Sequence, residues 1–288
     1  MGLAVPLIGS DTTTLTEQFD GAGGNDTIDG GNGADSLAGG AGNDQFSTSA
    51  GADTIDGGDG TDKLVVSSSL YSDLTGFTIS NVEALDLNSQ AVTLYNAQLA
   101  SFTTFTNGSG GVTLADAGTV AGVSGIQKYT LANGTNTFNE RAAETATTVT
   151  GGTGADTFNF NATQLNTTGS AVSITGGTGV DTLNVSAVSS TNVSASTANI
   201  KISGVEKIVF AQTTDNVAFT VAADNDLGSA IGLVTIDATA QTSGTLNFDG
   251  SLQTTTTTQF KVLGGGTGNE TIKGGSRSEE RRVGKECL

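Results

Sequence analysis

Histidine and tryptophan are absent from the 288 residues, proline and cysteine occur once each, and 11 basic residues face 29 acidic ones. Each shortage excludes something. Without histidine there is no Ser-His-Asp or Cys-His nucleophile, no HExxH zinc site and no histidine general base. A net charge of −18 repels a phosphate backbone, so nucleic acid is not an expected partner and cations are. No stretch approaches the roughly 20 apolar residues of a membrane helix, so no membrane span is expected. The opening MGLAVPLIGS lacks a basic n-region and an apolar run long enough for a signal-peptide core. A route out of the cell would use a signal elsewhere in the chain.

The single cysteine and four of the eleven basic residues fall in the last twelve residues, RSEERRVGKECL (277–288). This segment interrupts a repeat in mid-register and resembles read-through from a cloning or sequencing adapter; as a non-native tail it is set aside from the fold reading. The remaining chain is free of cysteine, which suits a protein exported without a disulfide step. Its only arginine is Arg141.

What is abundant is glycine, 42 residues, together with Thr, Ser, Asn and Val, while aromatics make up only 5%. That balance favours many short strands joined by tight turns over long helices. Cut every nine residues, 21–65 reads GAGGNDTID, GGNGADSLA, GGAGNDQFS, TSAGADTID and GGDGTDKLV. Further copies of this G-G-x-G-x-D-x-U-x pattern, with U a large apolar residue, stand at 151–159 (GGTGADTFN) and 176–184 (GGTGVDTLN). Another, at 265–273 (GGTGNETIK), carries Glu270 in the aspartate position.

A second, looser repeat lies between these islands. ISNVEALDL (79–87), VSGIQKYTL (123–131) and ISGVEKIVF (202–210) each read as a turn feeding a short strand of period two. Strands are also expected within VTLYNAQL, GVTLADAG, NTFNE, VAFTVAAD, LVTIDATA and TLNFDG, and TTTTT at 254–258 reads as an exposed strand. Glu83 and Glu206 of the ISxVE units are expected to face solvent or to steady the turn.

Glycines at positive φ let six residues turn sharply with their carbonyls pointing to a common centre, and the aspartate adds a hard anionic oxygen. Six to eight hard oxygens in a flexible loop suit Ca²⁺; Mg²⁺ prefers to keep its waters, and zinc would call for His or Cys. The x-U-x triplets form minimal strands whose apolar residues Ile28, Leu37, Phe46, Ile55 and Leu64 point inward. With two nonads per coil, residues 18 apart stack, so Asp26, Asp44 and Asp62 line one edge and Asp35 and Asp53 the other. Stacked strands lie about 4.8 Å apart. At an effective dielectric of 20, two carboxylates at that distance repel by roughly 3.5 kcal/mol. A bridging Ca²⁺ reverses that sign, and ion binding then contributes folding free energy.

These blocks resemble the repeats of the RTX (repeats-in-toxin) family of secreted bacterial proteins, and the Thr/Ser/Val-rich modules with their ISxVE turns resemble the β-solenoid regions of RTX-type surface-layer proteins. The resemblance implies an all-β, right-handed parallel β-roll or β-solenoid, with a β-sandwich for the interposed modules as the alternative. It also implies calcium ions held by Asp26, Asp35, Asp44, Asp53, Asp62, Asp156 and Asp181. The loop glycines Gly21, Gly23, Gly30, Gly31, Gly33, Gly39, Gly40, Gly42, Gly57, Gly58 and Gly60 would add their carbonyls. Export by a type I machinery that reads a C-terminal signal is a further implication. There are departures: Ala22 replaces the second glycine of the first copy, and TSAGADTID lacks the glycine pair, which counts against a site shared by Asp35 and Asp53. Asp156 and Asp181 lack partners 18 residues away, so an ordinary turn capped by aspartate competes with an ion site there.

The organisation expected is an N-terminal cap or leader (1–20), a calcium-binding roll (21–65), two solenoid modules (66–150 and 151–264), the start of a further repeat block (265–276) and the tail (277–288). The expected function is noncatalytic: a calcium-dependent extracellular solenoid with a structural or surface role. The alternative is the calcium-folding region of a larger secreted enzyme or toxin. Self-association through open coil ends and a cell-surface glycan are the further partners expected.

Overall fold

The computed structural model describes residues 6–8, 15–140, 146–161, 164–165, 171–186, 193–195, 200–210, 217–220, 233–241, 243–250, 259–264, 271–273 and 281–282. The threonine run at 254–258 and Glu270 lie outside them.

Every ladder pairing two strands among the described residues is parallel. Parallel neighbours cannot be joined by hairpins, so the chain must travel around a coil between them. That is the parallel β-solenoid expected, and it removes the sandwich alternative, which needs antiparallel sheets.

The chain divides into two compact units. The first comprises Met1–Asp116 and Val123–Thr130, the second Ala117–Gly122 and Leu131–Leu288.

In the first unit the nonads stack 18 residues apart. Thr27–Asp29 pairs with Gln45–Ser47, with Ile28 opposite Phe46, and Gln45–Ser47 pairs with Lys63–Val65, with Phe46 opposite Leu64. On the other sheet Leu37 lies opposite Ile55. Alternation within each x-U-x triplet buries the middle residue, and Ile28, Leu37, Phe46, Ile55 and Leu64 are all at most 1% exposed. Burying such a side chain stabilises by roughly 1.5–3 kcal/mol. Past the last nonad the stack continues through the looser repeat, with Leu64 opposite Leu85 and Ile55 opposite Ile79.

Only Val92–Leu94 of VTLYNAQL is a strand; Asn96–Ser101 forms a short helix instead. Ala, Gln and Leu in NAQLAS favour a helical turn. Gln98 fastens it, accepting from the Tyr95 amide at 2.9 Å and donating to the carbonyls of Leu74 and Phe77. The insertion bulges between strands without disturbing the register of Val92–Leu94 on Val112–Leu114.

In the second unit Val149, Ile174 and Ile202 form one apolar column, and another runs Val120, Phe138, Phe158, Leu183, Ile208, Ile236 and Val262, each opposite the next in register and none more than 4% exposed. Beside it an amide ladder forms: Asn184 donates to Asn159 at 2.8 Å, and Asn159 donates to Asn139 at 2.7 Å. Arg281–Arg282 of the terminal segment pairs with Lys261 and Val262. An open parallel edge accepts any extended backbone, whatever its side chains.

Candidate metal centre

Within one nonad, residues 39–44 carry the turn and the aspartate. Gly40 and Gly42 have φ of 98° and 138°, which turns the chain back within four residues. Gly39 is required for a different reason, since a β-carbon there would run into the Asp44 carboxylate and come within 2.5 Å of the Gly57 carbonyl oxygen. The same point beside Gly21 faces the Asp26 Oδ2 at 2.7 Å and the Gly39 carbonyl oxygen at 2.5 Å. Thus an anionic oxygen of one turn and a carbonyl oxygen of the next converge beside Gly21 and Gly39, and likewise beside Gly57, Gly151 and Gly176.

The aspartates themselves form three columns. In the first unit the Asp26 amide donates to Asp44 Oδ1 at 2.7 Å, and the Asp44 amide donates to Asp62 Oδ1 at 2.7 Å. On the other edge the Glu17 amide donates to Asp35 Oδ1 at 2.8 Å and the Asp35 amide to Asp53 Oδ1 at 3.0 Å. In the second unit the Asn136 amide donates to Asp156 Oδ1 at 2.9 Å and the Asp156 amide to Asp181 Oδ1 at 2.7 Å.

One oxygen of Asp35, Asp44, Asp53, Asp62, Asp156 and Asp181 thus accepts from the preceding turn. The other, Oδ2, is buried and accepts no hydrogen bond in Asp35, Asp44, Asp62 and Asp181. All seven aspartates are at most 2% exposed. A buried anionic oxygen with no donor costs several kcal/mol unless a cation approaches it. Burial, together with the neighbouring carboxylates, raises the Asp62 and Asp53 carboxyls above the usual range. Burial with Asp156 and Glu206 nearby pushes Asp181 up to about 6.

Hard oxygens, two of them anionic per inter-turn gap and the rest carbonyls, are the donor set that Ca²⁺ accepts. No three acidic, histidine or cysteine side chains gather at one point among the described residues. The carboxylates are strung singly along each column, so each ion would draw on two turns.

Several expectations change. Asp156 and Asp181 do have partners, 25 residues apart rather than 18, because longer excursions separate strands that remain in register. Asp35 and Asp53 are joined like the other pairs, although the Ser49 hydroxyl, 3.3 Å from Asp53 Oδ2, takes a role that no other nonad gives to serine. Ala22, where the pattern calls for glycine, adopts φ of 63°. In that first copy Gly24, at φ 127°, takes the positive-φ turn, whereas Gly23 has no positive φ and bridges to Ala41. Glu206 does not face solvent; it is 5% exposed. Glu83 is half-buried. Both lie at column ends, a placement that the shift in spacing from 18 to 21 and 25 residues hides in the sequence. Aligning each ISxVE glutamate with the aspartate of the nonad before it, both two residues ahead of a buried apolar residue, would have found them.

No described helix is long and apolar enough to cross a membrane. No curated protein and no solved structure matches the chain. A family model does: residues 11–46 and 39–67 match the RTX calcium-binding nonapeptide repeat, four copies. The nonads at 151–159 and 176–184 lie outside those residues, and there the sequence pattern and the geometry support the likeness. The chain therefore carries RTX calcium-binding nonapeptide repeats, and it folds them as part of a parallel β-solenoid.

Proposed function

We propose that the protein is a noncatalytic, calcium-dependent extracellular β-solenoid with a structural or surface role, which folds as Ca²⁺ binds after type I export. The observation that carries the reading is the set of buried second oxygens on Asp35, Asp44, Asp62 and Asp181 that accept no hydrogen bond. Asp26, Asp44 and Asp62, Asp35 and Asp53, and Asp156 and Asp181 would hold the ions, with loop-glycine carbonyls as further oxygen donors. The ion supplies charge that turns repulsion between stacked carboxylates into attraction.

On this reading the chain would stay unfolded for export where calcium is scarce and fold outside the cell where it is plentiful. The absence of histidine and the engagement of the acidic columns in stacking both favour a structural role over catalysis. The interruption of the nonads by long solenoid stretches favours a surface protein over an accessory region of an enzyme. A far-UV circular dichroism titration tests the mechanism. The β signal should grow as calcium replaces chelator; full β structure in chelator would contradict it.

A further inference from the structure

The aspartate columns do not stop at the last nonad. The Asp62 amide donates to Glu83 Oε2 at 2.8 Å, and the Asp181 amide donates to Glu206 Oε2 at 2.8 Å. Each glutamate thus receives the hydrogen bond that the next aspartate receives elsewhere in the column. The backbone repeats the match: the Lys63 strand is followed in register by Ala84, and Thr182 by Lys207, each one residue past its glutamate.

The turn before each glutamate mimics a nonad loop. Asn81 and Gly204 have φ of 51° and 59°. Their carbonyl oxygens face the point beside Gly57 and Gly176 that the next nonad's glycine carbonyl faces in the repeats proper. The second oxygens of Asp62 and Asp181 face those same points at 2.6 and 2.5 Å. Both oxygens belong to side chains with no exposure, and neither accepts a hydrogen bond.

We propose that the ISxVE turns complete two further divalent-cation sites, one from Asp62, Glu83 and the Asn81 carbonyl, the other from Asp181, Glu206 and the Gly204 carbonyl. The inference rests on the calcium reading above and extends it to turns that lack the nonad glycines and aspartate. A glutamate reaches one methylene further than an aspartate, which suits a turn that joins the stack without the GGxG loop.

The third loose repeat provides an internal contrast. VSGIQ also turns at positive φ, with Gly125 at 94°, and the Gly125 carbonyl likewise faces the point beside Gly108. There the companion is the Ile126 side chain, not a carboxylate, and the underlying turn at 108–111 reads GSGG. In that repeat the glutamate position is Gln127, which is exposed. The negative charge of the loose repeat therefore appears where an unpartnered buried aspartate lies beneath it and is missing where none does.

The experiment is calcium stoichiometry by isothermal titration with calcium chloride on the full chain, comparing wild type with Glu83→Gln, Glu206→Gln and the double variant. Glutamine keeps an oxygen to accept the aspartate amide and removes only the charge. Each single variant should lose one calcium ion, or have one site weakened tenfold or more, and the double variant should lose two. Wild-type stoichiometry and affinity in both single variants would overturn the proposal and leave the glutamates as amide acceptors only. A wild type that binds no calcium would instead refute the calcium reading itself, and this proposal with it. Should a glutamine variant fail to fold in saturating calcium, the wild-type count decides instead: the four aspartate pairs account for four ions, so six are expected, and four or fewer would overturn the proposal.

Discussion

Replacing Asp44 by asparagine isolates charge from shape at the middle of a column. The asparagine side-chain oxygen would still accept the Asp26 amide, which lies 2.7 Å from Asp44 Oδ1, and the backbone amide of residue 44 would still reach Asp62. What vanishes is one negative charge shared by two inter-turn gaps. In chelator the loss relieves repulsion of up to roughly 3.5 kcal/mol from each neighbouring carboxylate, so the variant should retain at least as much β structure as wild type. In calcium the sign reverses, because each of the two gaps loses one of its two carboxylates. A charge-assisted contact contributes about 1.5–3 kcal/mol, which is about a tenfold to a hundredfold loss in affinity per gap. Circular dichroism against free calcium, with urea unfolding at both extremes, reads the two limbs. A variant less folded than wild type in chelator, with an unchanged calcium midpoint, would refute the reasoning, since it would mean that Asp44 acts by packing alone.

Gly39→Ala places a methyl against the Asp44 carboxylate and within 2.5 Å of the Gly57 carbonyl oxygen, and should destabilise by about 1–3 kcal/mol in urea titrations with calcium present; an unaffected midpoint would show that the loop relaxes freely. The pH dependence should change direction with calcium. In chelator, burial of Asp181 raises its folded-state carboxyl from 3.8 to about 6, so the folded form takes up a proton across that interval and stability rises as pH falls from about 6 toward 4. In calcium, protons compete with the ion, so the calcium midpoint should rise over the same pH interval; parallel slopes in the two conditions would contradict the assignment of Asp181 as a ligand.

The period-18 stack was legible because both of its signals, the apolar U and the aspartate, recur without slippage from Asp26 to Asp62. Leu37 on Ile55 and Phe46 on Leu64 follow directly from that spacing. What the sequence hid comes from one physical fact. Parallel pairing fixes register through backbone hydrogen bonds at the strands, while the turns between them tolerate insertions. The helix Asn96–Ser101 is such an insertion, and so are the residues that move Asp181 to 25 positions beyond Asp156. Fixed-spacing arithmetic therefore leaves Asp156, Asp181, Glu83 and Glu206 isolated, although each lies in a continuous column. Gly24 escaped for a smaller reason: GAGGND carries a glycine at both its third and fourth positions, and only the second of these takes the left-handed conformation.

The central claim is that the buried aspartate columns require calcium to fold. Simultaneous measurement of bound calcium and far-UV ellipticity across one titration, starting from chelated protein, tests it most directly. The account predicts that the two curves rise together, from little β structure to full. Full β structure before any ion binds, or calcium uptake with no change in ellipticity, would contradict it.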